Sequence, residues 1–170
     1  LKILKKINAN IKIKNLRKVS GELVGSITAS SSKLKPIIVS KDIGKFIDEL
    51  PILFVIAALT KGVSRFNNIG DLKHKESNRL LESKKILVQA GIKCKTTKGS
   101  MIIYGIDKIE TQNKSILVKT KGDHRICMSS IILSLITGIR AKIKNFETVN
   151  SSFPGFFSII KKLGGKIVIK

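Results

Sequence analysis

Two stretches of this chain repeat one another about 75 positions apart, and that spacing limits the fold more than any single segment does. Asp48-Glu49-Leu50-Pro51 opens an apolar helical stretch that ends near Gly62 and leads into the alternating segment Val63 to Ile69. Asp123-His124-Arg125 opens a second apolar stretch, which reaches Gly138 and passes into Ala141 to Phe146 at an offset of 75. A further match follows each. The helical stretch Glu76 to Ala90 with Gly91-Ile92-Lys93-Cys94 corresponds to Pro154 to Leu163 with Gly164-Gly165-Lys166-Ile167, offset by 73. Leu1 to Ile7 followed by Asn8-Ala9-Asn10-Ile11 reads as the same helix-turn-strand ending from one unit earlier.

The chain therefore carries the tail of one unit and two fuller copies. Within a unit the expected order is strand, apolar helix, strand, amphipathic helix, strand, strand. Ile11 to Ile13, Met101 to Tyr104 and Ile116 to Val118 supply strands, and Gly, Asn and Lys-Gly pairs supply turns. Helices packed on sheets in a repeated order imply an α/β (α+β) architecture with units around a shared core. With no long linker, 170 residues make a single domain over 1–170.

Composition bears mainly on what the chain is not. At 42% apolar and 26% charged it has the means to bury a core. Cys94 and Cys127 form no C-x-x-C pair, so no zinc or redox site is expected and a reducing, cytoplasmic setting suits them. The apolar runs Leu50 to Thr60 and Ile126 to Ile139 fall short of the roughly 20 residues of a spanning helix, so no membrane partner is expected. The start at Leu1 rather than Met, with no signal peptide pattern, suggests a fragment or a processed product.

The formal charge of +22 raises the possibility of a basic polyanion-binding module without catalysis. The excess is mostly lysine spread evenly along the chain, with one Tyr and no Trp to interleave for base stacking, so no specific nucleic-acid partner is expected.

Polar clusters recur where helices should begin: Asp48-Glu49, Lys73 to Arg79, Asp123-His124-Arg125, and Asn150-Ser151-Ser152 at the repeat-equivalent of the second. Helix N-termini present unpaired N–H groups and partial positive charge, which suits anions. Taken singly, Asp48 and Asp123 read as helix N-caps and the Lys75 to Arg79 run as an exposed turn. Recurrence at matching points of the repeat is what favours a site.

Asp48-Glu49-Leu50-Pro51, then Leu72-Lys73-His74-Lys75-Glu76-Ser77-Asn78-Arg79, then Gly122-Asp123-His124-Arg125-Ile126-Cys127-Met128, then Ser152-Phe153-Pro154-Gly155-Phe156 resemble, in order, the motifs of 5-enolpyruvylshikimate-3-phosphate synthase. The resemblance implies an enzyme of two similar domains, each of three βαβαββ units, with the active site in the cleft between them. This chain would be most of the second domain, and the first domain would be its missing partner. The family moves the enolpyruvyl group of phosphoenolpyruvate to the 5-hydroxyl of shikimate 3-phosphate and releases phosphate, with no cofactor and no metal. By resemblance Asp48 matches the general base and Glu76 the partner in proton transfer at the enol carbon, although the residues alone leave open which carboxylate performs which step. Arg79 and Arg125 match the clamp on the phosphoenolpyruvate carboxylate, Lys75 a shikimate-phosphate contact, and His124 a neighbour of the phosphoenolpyruvate site. The sequence departs from the family at Lys73, commonly Arg, at Asn78, commonly Asp, and at Ser151, where some members carry a lysine. The related enolpyruvyl transferase acting on a UDP-amino sugar is the nearest enzymatic alternative; it lacks the K-E-S-x-R run.

Overall fold

The computed structural model describes residues 1–111 and 114–168, so positions 112–113 and 169–170 of the expected domain lie outside the described residues. Helix α1 (Lys2–Lys6) leads into a hairpin of β1 (Asn10–Val19) and β2 (Glu22–Ser30). Its turn places Ser20 and Gly21 at φ 48° and 88°, the backbone that two-residue hairpin turns require. Strand β2 was not among the expected strands. All nine of its residues are exposed, so no buried face imposes the apolar alternation by which strands are recognised.

The first full unit follows as β3 (Ile38–Val39), α2 (Leu50–Ala58), β4 (Gly62–Asn67), α3 (Arg79–Gln89), β5 (Lys93–Thr96) and β6 (Ser100–Gly105). These strands make one sheet in the order β3-β4-β6-β5, with β3 parallel to β4 across α2 and the other pairs antiparallel. The order is the one the repeat predicts. The second copy gives β7 (Ser115–Lys119), α4 (His124–Thr137) and β8 (Arg140–Lys144), again with the strands on either side of the apolar helix parallel. Two shorter helices follow, α5 (Thr148–Ser152) and α6 (Phe156–Lys162). The α1, β1, β2 segment corresponds in order to α3, β5, β6.

Three boundaries differ from expectation. Helix α3 starts at Arg79 rather than Glu76, because the Asn78 side chain accepts the Leu81 backbone N–H at 3.0 Å and caps the helix there. Residues Gly70–His74 form a 3₁₀ turn instead. Helix α6 starts at Phe156 after Gly155 at φ 85°, so Asn150-Ser151-Ser152 closes α5 rather than opening the next helix. Residues 165–168, matched by repeat to β5, form no strand.

Helix α2 is apolar nearly all round, and such a helix belongs in a core, while α4 turns Ile126, Cys127 and Leu133 inward. Both contribute to one cluster that also takes in Phe66, Leu72, Leu80, Leu87, Met101, Ile103, Ile116, Val118 and Ile139, so the two units share a core. Phe54 of α2 meets Phe66 of β4 edge to face at 4.8 Å. A smaller cluster of Cys127, Val149, Phe156 and Ile160 seats α6. The far end of α2 is fixed by a close backbone approach. A Cβ on Gly105 would lie 2.0 Å from the Thr60 carbonyl oxygen, so only glycine lets β6 end there, and the next N–H, of Ile106, reaches the Ala58 carbonyl at 3.0 Å. Anchoring that end fixes where the polar opening of α2 points. Among the described residues, no helix is long and apolar enough to cross a membrane.

Candidate active site

The repeat builds the site by bringing two equivalent helix entrances to a third. Asp48 lies in the 3₁₀ turn Ile47–Glu49 that leads into α2, and Asp123 is the N-cap of α4. Between them stands Arg79, the first residue of α3, with its side chain 1% exposed. Its Nη1 donates to Asp48 Oδ1 at 2.8 Å, its Nε to Asp123 Oδ2 at 2.8 Å, and its Nη2 to Glu76 Oε2. One buried guanidinium thus holds repeat-equivalent aspartates from two units and a glutamate from its own approach loop.

Asp123 does more than cap. Its Oδ1 accepts from the backbone N–H of Arg125 and Ile126, and its Oδ2 from the Ser77 hydroxyl as well as from Arg79. Burial alone would push its carboxyl up. Arg79 and Ser77 overcome that and hold it below the usual carboxylate range. The same contest decides Asp48, where burial is outweighed by Lys75 at 3.1 Å together with Arg79 and Arg125, and the carboxyl again sits low. Burial works against the charge on Arg79, but Asp123, Glu76 and Asp48 raise its affinity for the proton. At neutral pH Asp48 is therefore an ionised carboxylate.

Around this core, Arg125 Nη1 donates to the Asp48 carbonyl at 3.0 Å and to Glu49 Oε2 at 3.2 Å. Arg125 and Lys75 keep about a third of their side chains exposed, whereas Arg79 keeps none to speak of. His124 is half-buried at the first turn of α4. Asp48, Lys75, Glu76, Arg79 and Arg125 are thus directly linked, and His124 adjoins Arg125 in sequence. The site expected for Arg79, open to a substrate carboxylate, is filled by the protein's own carboxylates. Asp48 is not the N-cap of α2, since Glu49 takes that position and no side chain caps it.

Asn150, Ser151 and Ser152 share no described hydrogen bond or ion pair with the other three clusters. The nearest link is the Thr148 hydroxyl, which donates to the Gly122 carbonyl at 2.6 Å beside Asp123. The sequence placed Asp123 and Ser77 within its polar clusters but assigned neither a role of its own in the site. Asp123 stands 75 positions after Asp48, and Ser77 lies inside the Lys75-Glu76-Ser77-Asn78-Arg79 run; what neither position reveals is their hydrogen bond to one another.

Comparison with known proteins places this geometry in context. The family model described as EPSP synthase (3-phosphoshikimate 1-carboxyvinyltransferase) matches residues 1–160. The 3-phosphoshikimate 1-carboxyvinyltransferase of Clostridium tetani is 36% identical over 163 residues, 95% of this chain and 36% of the relative. The protein of that name from Caldicellulosiruptor saccharolyticus is 38% identical over 159 residues, 93% of this chain and 36% of its own length. The chain therefore spans about a third of these relatives. Among solved structures, EPSP synthase from Acinetobacter baumannii superposes with a TM-score of 0.84 at 29% identity, covering 99% of this chain and 39% of that one. The enolpyruvyl transferase NikO from Streptomyces tendae shares the fold, at a TM-score of 0.69 and 14% identity over 97% of this chain and 34% of NikO.

Proposed function

From the premise that this chain belongs to the EPSP synthase family, we propose that it forms one side of an active site that moves the enolpyruvyl group from phosphoenolpyruvate to the 5-hydroxyl of shikimate 3-phosphate. A first domain of the same enzyme supplies the other side, and residues 1–170 form most of the second domain. The observation that carries this reading is the convergence of Asp48, Glu76, Arg79 and Arg125, drawn from three helix entrances, on one charged cluster.

The reaction needs a proton taken from the attacking hydroxyl, a proton delivered to the methylene carbon as the C–O bond forms, and a proton removed from that carbon as phosphate leaves. Asp48, held ionised by Lys75, Arg79 and Arg125, accepts the hydroxyl proton. Glu76, with half its side chain exposed, takes up a proton from solvent, delivers it to the methylene carbon and removes one from that carbon as phosphate leaves. Lys75 and Arg125 are the accessible cations, Lys75 for the shikimate phosphate and Arg125, with its planar fork, for the phosphoenolpyruvate carboxylate. His124 flanks that carboxylate.

Arg79 joins the clamp by exchange. The substrate carboxylate replaces Glu76 on Nη2, so binding releases the very carboxylate the proton steps require. Until then the Arg79 charge is satisfied internally, which avoids a buried unpaired cation.

Steady-state phosphate release by the complete enzyme tests the assignment. Turnover is expected with phosphoenolpyruvate and shikimate 3-phosphate and none with a UDP-amino sugar as acceptor. Release with the sugar nucleotide, or none with shikimate 3-phosphate, refutes it.

A further inference from the structure

Helix α3 carries a second buried charge, Glu82, which is 5% exposed and stands three residues after Arg79, on the same helical face. A glutamate is seldom buried this far without a partner. Its Oε1 accepts from Lys121 Nζ at 2.9 Å and from Lys85 Nζ at 3.1 Å. Burial raises its carboxyl, and Lys121 and Lys85 more than offset that.

Lys121 belongs to the loop Thr120-Lys121-Gly122-Asp123 that delivers Asp123, His124 and Arg125 to the site. Its backbone is left-handed at φ 54°, uncommon for a residue other than glycine. On one side the loop is tied to the end of β8, where the Thr120 hydroxyl donates to the carbonyls of Lys144 and Asn145. On the other side it meets α3 at two points: Arg79 reaches Asp123, and Glu82 reaches Lys121. The two rungs have opposite polarity, cation on the helix in one and anion on the helix in the other. Sliding the loop along α3 would therefore bring like charges together.

We propose that the Glu82–Lys121 pair is a positioning latch: it sets the register of the loop carrying His124 and Arg125 against the helix that carries Arg79. Neither residue touches the reacting groups. The pair matters because the cation on Arg125 must meet a substrate carboxylate to within fractions of an ångström, and small misplacements are expensive.

Two measurements on the complete enzyme test this, the first independent of the proposed function and the second resting on it. Amide hydrogen exchange across residues 121–127 should quicken about tenfold in Lys121→Gln and in Glu82→Gln, and by no more in the double variant, because one link is being cut. Lys121→Arg should restore protection, and Lys85→Gln, which removes only a contact within α3, should leave the loop as it was. In steady-state kinetics the same Lys121→Gln change should raise KM for phosphoenolpyruvate about fivefold with kcat within twofold. Lys121 is more than half exposed, so its replacement should not prevent folding. Unchanged exchange at 121–127 overturns the latch whatever the enzyme does. Faster exchange with an unchanged KM shows a structural tie only and also overturns it. Absent turnover in the unaltered enzyme refutes the proposed reaction, while the exchange result still decides the latch.

Discussion

Replacing Glu76 with Gln in the complete enzyme is expected to lower kcat by about 10²-fold or more, since the substitution keeps the shape of the side chain and removes the proton it trades with the enol carbon. The fold should survive. Glu76 lies in the loop before α3, half exposed, and a glutamine oxygen can still accept from Arg79 Nη2. KM for phosphoenolpyruvate should fall or hold steady, because a neutral amide competes less strongly with the incoming carboxylate for Arg79. A rise in KM with kcat intact would make Glu76 a binding group and end its role in proton transfer. Unchanged turnover would remove it from the mechanism.

Asp123→Asn should be the most damaging substitution to stability, at about 2–4 kcal/mol, because it takes a charge from beside a guanidinium that has no access to water. Helix capping is not the cause, since asparagine caps as well as aspartate. Asp48 and Glu76 still neutralise Arg79, which keeps the loss below that of a fully orphaned charge. The effect should depend on pH in one direction. The Asp123 carboxyl titrates lower in the folded chain than in the unfolded one, so its contribution is complete above the unfolded value near ~3.9 and is lost as pH falls through the folded value. Urea denaturation of both proteins should therefore show a gap that is constant near neutrality and closes below about pH 4. A gap that persists unchanged in acid would show that the charge on Asp123 is not what stabilises the cluster.

Much of this arrangement was legible because it is periodic. The 75-residue offset between Asp48 and Asp123 predicted the strand-helix-strand order of both units, and the sheet β3-β4-β6-β5 follows it. Helix α2 was visible because burial on nearly all sides leaves it no polar position to confuse the pattern. What escaped were features that no periodic pattern marks, some local and some joining distant parts of the chain. Strand β2 buries no face and so carries no alternation. The start of α3 turned on a single cap, Asn78, which left Glu76 in the loop ahead of the helix. The engagement of Arg79 by three carboxylates reaches residues as many as 44 positions from it, and no local pattern encodes such a contact. Glu82 and Lys121 look like ordinary surface charges in a lysine-rich sequence. Only packing shows that one of them is buried.

The central claim is that this chain holds one half of a two-sided site. It is tested most directly by measuring phosphate release from phosphoenolpyruvate and shikimate 3-phosphate with the 170-residue chain alone, then after adding a separately produced first domain. On the proposed two-domain reading, closure would supply the missing charges and exclude water, so the chain alone should release no phosphate. The mixture should turn over, and Glu76→Gln in the chain should silence it. Turnover by the chain alone, or a mixture indifferent to Glu76, would contradict the account.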